Sequence, residues 1–353
     1  MKKFTLCLLA AFLFASLGFS QTVDAITDIQ GPGRLHAAGN DLFICNGQFQ
    51  NDNYIIHVNM SQASLVADTI AYRSQSELAD MMKVGDYLYI TDFEANQILK
   101  YDLSVSPATF SVAIDEGITN PNGMLLIGNA LYFTQSIDKV GKLSRFDVSE
   151  RNPVVEDVVL NLDFPIDVVE HKGKVYISEH NAARISQIDL AVPNPEAIPI
   201  IEGIPVVGME IVDNKLYAAA SRANKIIEVD LEAVSPVAVD FITEVDYPVD
   251  VERIGSELFI VQNESNKVVK TGISISFDLN TGKESIAIYP NPSSDFIYLK
   301  DMIESQAYSI FDITGKKITQ SSSNQVYINP DNHHIIIVQI IGEAGVETHK
   351  IFH

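Results

Sequence analysis

The chain has 353 residues, of which 46 are acidic and 24 basic, for a formal net charge of −22. That length accommodates one large domain and a smaller one. The charge disfavours nucleic acid and anionic membrane surfaces as partners, because both require a basic footprint. Acidity of this size reads as solubility before it reads as a binding face.

Residues 1–20 read as a signal peptide. Lys2 and Lys3 make a basic start, Leu6–Phe14 an apolar run, and Ala15–Ser20 a cleavage segment ahead of Gln21. The apolar run is short for a membrane span and no other stretch approaches about 18 apolar residues, so no transmembrane segment is expected in the mature chain. Cys7 lies in that run, which leaves Cys45 as the one thiol of the mature chain and excludes an intrachain disulfide. Set in the apolar stretch Leu42–Cys45 with no basic neighbour in sequence, Cys45 reads as a small buried hydrophobe.

From residue 21 to 276 one phrase recurs. A turn signal precedes a short strand bearing a Leu-Tyr landmark, and a polar loop joins that strand to another rich in β-branched residues. The landmark stands at Leu42-Phe43, Leu88-Tyr89, Leu131-Tyr132, Val175-Tyr176, Leu216-Tyr217 and Leu258-Phe259, at steps of 46, 43, 44, 41 and 42 residues. Repeats of about 40–50 residues made of short strands are propeller blades. The sequence therefore predicts an all-β chain: a six-bladed β-propeller with four strands per blade, followed by a small C-terminal β-sandwich. In the third repeat the four strands fall at Met124–Ile127, Ala130–Gln135, Lys142–Val148 and Val154–Leu160. Turns such as Gly85-Asp86 and Gly128-Asn129 supply the positive φ a tight hairpin needs. The third strands end on Asn59, Asp102, Asp147, Asp189 and Asp230, a recurrence that reads as turn chemistry. Prolines 121, 165, 205 and 248 precede the innermost strands, where a missing N–H costs least.

The sixth repeat lacks a convincing outer strand. Residues 21–35 align with the outer strand and lead-in of the last blade, 237–251, so the N-terminus is expected to close the ring and remove a sheet edge. Ser274–Asp278 is the rival donor. These repeats, with their Pro-x-Asp/Gly lead-ins and Leu-Tyr second strands, resemble the NHL-like six-bladed propellers over about residues 22–275.

Residues 277–285 form a polar linker, and 286–353 change rhythm. Ile288–Leu299, Tyr308–Ile318, Val326–Ile328 and His334–Ile341 read as strands, with a hairpin turn at Thr314-Gly315. The prolines of Tyr289-Pro290-Asn291-Pro292 make a stiff lead-in to this domain. This segment, together with Phe311-Asp-Ile-Thr-Gly315-Lys316 and the closing Gly-Val-Glu-Thr-His-Lys-Ile, resembles the type A C-terminal sorting domain of the type IX secretion system of Bacteroidetes. The resemblance implies export across the outer membrane, the secretion machinery as a partner, and a final location that is extracellular or anchored at the outer-membrane surface.

In a four-stranded blade the loop leading into the inner strand and the loop between strands two and three share one face of the ring. That face is expected to collect Asp92, Glu94, Asn122, Asp167, Glu179, His180, Asp250 and Glu264 as a ligand-binding rim. Of these, Asn122, Asp167, Glu179 and Asp250 form a candidate oxygen set for Ca²⁺, against the plainer reading of a solvated polar rim. Pro121-Asn122-Gly123 resembles the lead-in of gluconolactonase-like propellers, in which the Asn is a metal ligand. The acidic ligand of that family corresponds here to Val207-Gly208, which argues against lactonase chemistry. Glu179-His180 has the residue types for acid–base work without a third group to orient the histidine. The sequence thus points to an exported propeller that binds an extracellular glycan, peptide or protein. A metal-dependent hydrolase or lyase and a purely structural surface protein stand as alternatives.

Overall fold

A computed structural model of the chain describes residues 22–46, 51–62 and 65–273, and beyond these the strands of a C-terminal region. Six four-stranded antiparallel sheets make up the first part. Blade one comprises Arg34–Ala38, Asp41–Cys45, Asn51–Asn59 and Ala67–Ser76; blade three comprises Pro121–Ile127, Ala130–Gln135, Gly141–Asp147 and Glu156–Leu162. The inner strand of blade three thus begins three residues earlier than the pattern predicts, on Pro121 itself. Pro121 opposes Gln135 and the register shifts before Met124, so the missing N–H falls at an irregularity and breaks no regular ladder.

The ring closes through the N-terminus. Val23–Ile26 pairs with Lys267–Gly272 as the outer strand of blade six. Ile29 N–H donates to Asn266 O (3.2 Å), Gly31 N–H to Asn266 Oδ1 (2.7 Å) and Asn263 Nδ2 to Pro32 O (2.9 Å), which fastens the strap at the channel end as well.

Six apolar clusters lie between neighbouring blades. Each joins the landmark strand of one blade to the inner and second strands of the next, as Phe43, Cys45 and Ile55 of blade one meet Met81, Leu88 and Ile90 of blade two. The landmark strand is a run such as Leu131-Tyr-Phe-Thr-Gln135, buried along its whole length, because it is covered on both faces. Cys45 is one of these core residues, and burial pushes its thiol up to about 12.

Turn chemistry is as expected. Gly39, Gly85, Gly128 and Gly255 have positive φ in the first hairpins. Asp102 Oδ1 accepts from the N–H (2.9 Å) and Oγ (2.6 Å) of Ser104, and Asp147 repeats this with Ser149 at 2.8 and 2.6 Å. These bonds hold both carboxyls below the usual range.

In the C-terminal region the backbone gives two antiparallel sheets. One takes Ala287–Tyr289, Phe296–Lys300 and Gln325–Tyr327; the other takes Lys317–Ser321, Ala307–Asp312, Ile335–Gly342 and Gly345–Phe352. Ala307–Asp312 pairs antiparallel with Lys317–Ser321, the strands on either side of the expected Thr314-Gly315 turn. The packing of the sheets into a sandwich, residues 1–20, the linker, and Pro290, Asn291, Pro292 and Gly315 lie outside the described residues.

Candidate functional site

The inner strand of each blade turns an unpaired edge toward the channel, and its N–H groups need acceptors. The position after each lead-in reads Arg34, Asp80, Gly123, Asp167, Gly208 and Asp250 around the ring, so a carboxylate stands in every second blade. Each reaches forward one blade. Asp80 Oδ2 accepts from Met124 N–H (2.6 Å), Asp167 Oδ2 from Met209 N–H (2.6 Å) and Asp250 Oδ2 from Leu35 N–H (2.7 Å). One turn deeper, Glu252 accepts from Ala37 N–H (2.8 Å) and His36 Nε2 from Lys83 N–H (3.0 Å).

Glycine is required between these acids. A Cβ at Gly123 would lie 2.5 Å from Ile166 O and 2.9 Å from Asp167 Oδ1; at Gly208 it would lie 2.0 Å from Asp250 Oδ1 and 2.7 Å from Arg34 Nη1. Arg34 crosses the channel into that space, 3.1 Å from Asp250 Oδ1 and 3.3 Å from Asp167 Oδ2. Burial opposes its charge, but Asp167, Asp250 and Asp80 outweigh this and raise its pKa.

Below the guanidinium lies a cavity of about 260 Å³, lined among others by His36, Asp80, Glu210 and Glu252. Burial raises Asp80 to about 8, Glu210 to about 8 and Asp250 to about 7, and raises Glu252 well above its ordinary value. Burial lowers His36 to about 4, with Lys83 adding to the effect. The channel is a stack of carboxyls around one fixed cation, with Asp80, Asp167 and Asp250 buried and Glu210 and Glu252 half-buried.

The residues expected to form a rim divide between two tasks. Asp167 and Asp250 come together on Arg34. Asp92 and Glu179 end the second strands of their blades and are fully buried. Glu179 Oε2 accepts from Asp163 N–H (2.9 Å) and Oε1 from Ser186 Oγ (2.6 Å), while Arg184 grips both oxygens at 2.7 Å. Asp92 accepts from Arg73 Nε (2.6 Å) and Glu77 N–H (3.4 Å). Gln135 and Gln262, at the same position in blades three and six, accept from the N–H groups of Thr119 and Asp246. A buried acceptor here ties down the loop leading into its own blade, which is a recurring structural duty.

Asn122 donates to Ser136 Oγ (3.1 Å) and His180 Nδ1 sits 3.2 Å from Val206 O. Burial lowers the His180 pKa. Glu94 is half-buried and Glu264 exposed. Asn122, Asp167, Glu179 and Asp250 therefore do not form one oxygen set. Glu179 is held by Arg184, and the guanidinium of Arg34 stands between the other two acids where a cation would go. Among the described residues no group of three or more His, Cys, Asp or Glu is placed to hold a metal ion.

Sequence reading missed Arg34, Asp80, His36, Glu210 and Glu252. The signal was the alternation at the position after each lead-in, hidden because blade two has Leu78 where its neighbours have proline.

Residues 287–351 match a protein family described as a secretion system C-terminal sorting domain. The tail is a sorting domain. It makes the chain a secreted or cell-surface protein, and its partner is the type IX secretion machinery. No helix among the described residues is long and apolar enough to cross a membrane. Among curated proteins none matches the chain.

Solved structures share the propeller. A chain of a nidogen/laminin complex is 16% identical with a TM-score of 0.51, covering 64% of this chain and 92% of its own. A luciferin-regenerating enzyme is 13% identical with a TM-score of 0.55, covering 74% and 95%. A putative oxidoreductase (glucose dehydrogenase) from Thermus thermophilus is 15% identical with a TM-score of 0.56, covering 71% and 99%. Likeness at this level speaks for the fold alone, and one fold hosts many functions.

Proposed function

We propose that the exported propeller is a binding module for an extracellular ligand and carries no catalytic centre on its loop face. The observation that supports this is the commitment of its acids. Asp92 and Glu179 are neutralised by Arg73 and Arg184, while Asp167 and Asp250 are engaged by Arg34 and by the N–H groups of the next blade. A general base needs a free lone pair within reach of substrate, and a Ca²⁺ site needs six to eight oxygens facing one point. Neither requirement suits carboxylates so engaged: Asp92, Glu179 and Asp250 are bonded on both oxygens, and Asp167 is bonded through Oδ2 to both Arg34 and Met209 N–H.

The test is a calorimetric titration of the full chain with Ca²⁺, followed by a lactone-hydrolysis assay. No saturable heat and no turnover are expected. Turnover that requires Ca²⁺ and disappears in Asn122→Ala overturns the reading in favour of a metal-dependent hydrolase.

A further inference from the structure

On the opposite face a cleft of about 650 Å³ opens between blades one and two. That volume lies in the range of about 300–1,000 Å³ usual for small-molecule sites. Its floor is apolar, with Phe43, Ile70, Leu103 and Pro107, and its rim carries Asp41, His57 and Lys83. His57 Nε2 lies 2.7 Å from Asp41 Oδ1, and Lys83 Nζ lies 3.7 Å from Asp41 Oδ2. The His57 ring packs on Phe43 with centroids 5.2 Å apart. All three polar side chains remain open to solvent, Asp41 at 35%, His57 at 28% and Lys83 at 29% exposure.

The propeller supplies five internal controls for this set. Strand register fixes the equivalent of Asp41, at the start of each second strand, and of His57, opposite each landmark aromatic. The equivalent of Lys83 stands opposite each landmark Leu or Val. Between blades two and three the trio is Tyr87, Lys100 and Leu126; between four and five it is Lys174, Gln187 and Ile211. Between three and four it is Ala130, Arg145 and Glu170, between five and six Lys215, Glu228 and Arg253, and between six and one Glu257, Lys270 and Ala37. An acid, an imidazole and an ammonium group meet at the first junction alone, and there the cleft opens.

We infer that this cleft binds a neutral sugar unit of an extracellular glycan. Asp41 is already paired with His57 and Lys83, so a charged ligand would have to displace a partner there, and Asp86, the other acid on the lining, adds to the repulsion of an anion. An anion would also meet the field of a chain carrying −22. A hydroxyl needs no such exchange, because it donates to a carboxylate or imidazole lone pair and accepts from an ammonium group. The apolar floor suits the C–H face of a pyranose, as small-ligand sites pair an apolar wall with a few placed polar groups. This inference rests on the reading of the propeller as a binding module and gives that module its ligand class.

The experiment titrates the full chain with glucose, galactose, mannose and N-acetylglucosamine, read by calorimetry and by saturation-transfer NMR. At least one should bind with a dissociation constant in the millimolar range, about 1 mM. His57→Ala and Lys83→Met should each weaken it about tenfold or more, which is roughly 1.4 kcal/mol. Lys215→Met, in the Lys215–Glu228 pair of blade five, should leave it unchanged. Thermal melting of each variant separates lost binding from lost folding, and His57→Gln keeps a polar side chain where the alanine variant proves unstable. Undiminished sugar binding in the His57 and Lys83 variants overturns the cleft and leaves the binding-module reading standing. No sugar binding at about 10 mM, or perturbation of the His57 ring by inorganic phosphate instead of sugar, overturns the ligand class. Ca²⁺-dependent lactone turnover strikes the binding-module reading itself, whatever the sugars do.

Discussion

The single residues that govern this molecule are the channel acids and the glycines facing them. Gly208 has Asp250 Oδ1 and Arg34 Nη1 where a methyl group would go. Gly208→Ala must therefore displace a buried ion pair, and we expect a loss of about 3 kcal/mol or more, measured by chemical denaturation. An alanine variant as stable as the wild type would show that Arg34 and Asp250 can move at little cost. The same acids set the pH dependence. The folded chain holds Asp80 near 8, Glu210 near 8 and Asp250 near 7, against about 4 for unfolded carboxyls. Between those values the native state binds more protons than the unfolded state, so stability falls as pH rises from about 4 to about 8. His36, held near 4, acts in the opposite sense, its contribution fading as pH drops from about 6.5. Three raised carboxyls outweigh one lowered imidazole. The melting temperature should therefore rise as the buffer goes from pH 8 to pH 5, and Asp80→Asn should flatten that slope. A melting temperature highest at pH 8 would contradict the buried-carboxyl assignment.

At the scale of the strand, the closing strap carries the ring. Ile26 and Ile29 are buried between the last blade and the first, beside Leu42, Ile44 and Phe259. At about 2 kcal/mol each, their loss with the ladder of Val23–Ile26 removes roughly 5 kcal/mol and exposes the edge of Lys267–Gly272. Deleting residues 22–29 should lower the melting temperature by about 10 °C or more, or drive aggregation; a change of a degree or two would mean that the ring closes without the strap. The strap was legible in the sequence because 21–35 repeats the pattern of 237–251, and the Leu-Tyr strands were legible because burial on both faces leaves little choice of residue. The channel chemistry was not. Arg34 is 133 residues from Asp167 and 216 from Asp250 and meets them only through the curvature of the ring, and no local pattern reports that an Asp reaches forward to the backbone of the next blade. Glu179 misled for the mirror reason. In sequence it is an acid beside a histidine in a loop, and only the fold turns it inward onto Arg184.

For the molecule as a whole, the arrangement separates what folds from what is exported. Every interblade cluster, the closing strand and the channel network lie within residues 22–273. The sorting domain spans 287–351. Stability of the ring is then local to the ring, and the address is local to the tail. A chain ending near Asn280 should melt within a few degrees of the full-length protein, because it keeps all six cores. In its host it should accumulate in the periplasm, since the segment that the secretion machinery recognises is gone. Cell fractionation with surface protease digestion distinguishes the outcomes. Full-length protein should be surface-accessible or found in the medium, and the truncated chain should be protected until the outer membrane is opened. Truncated protein at the surface in normal amount would show that the propeller carries its own export signal and that the tail serves another end.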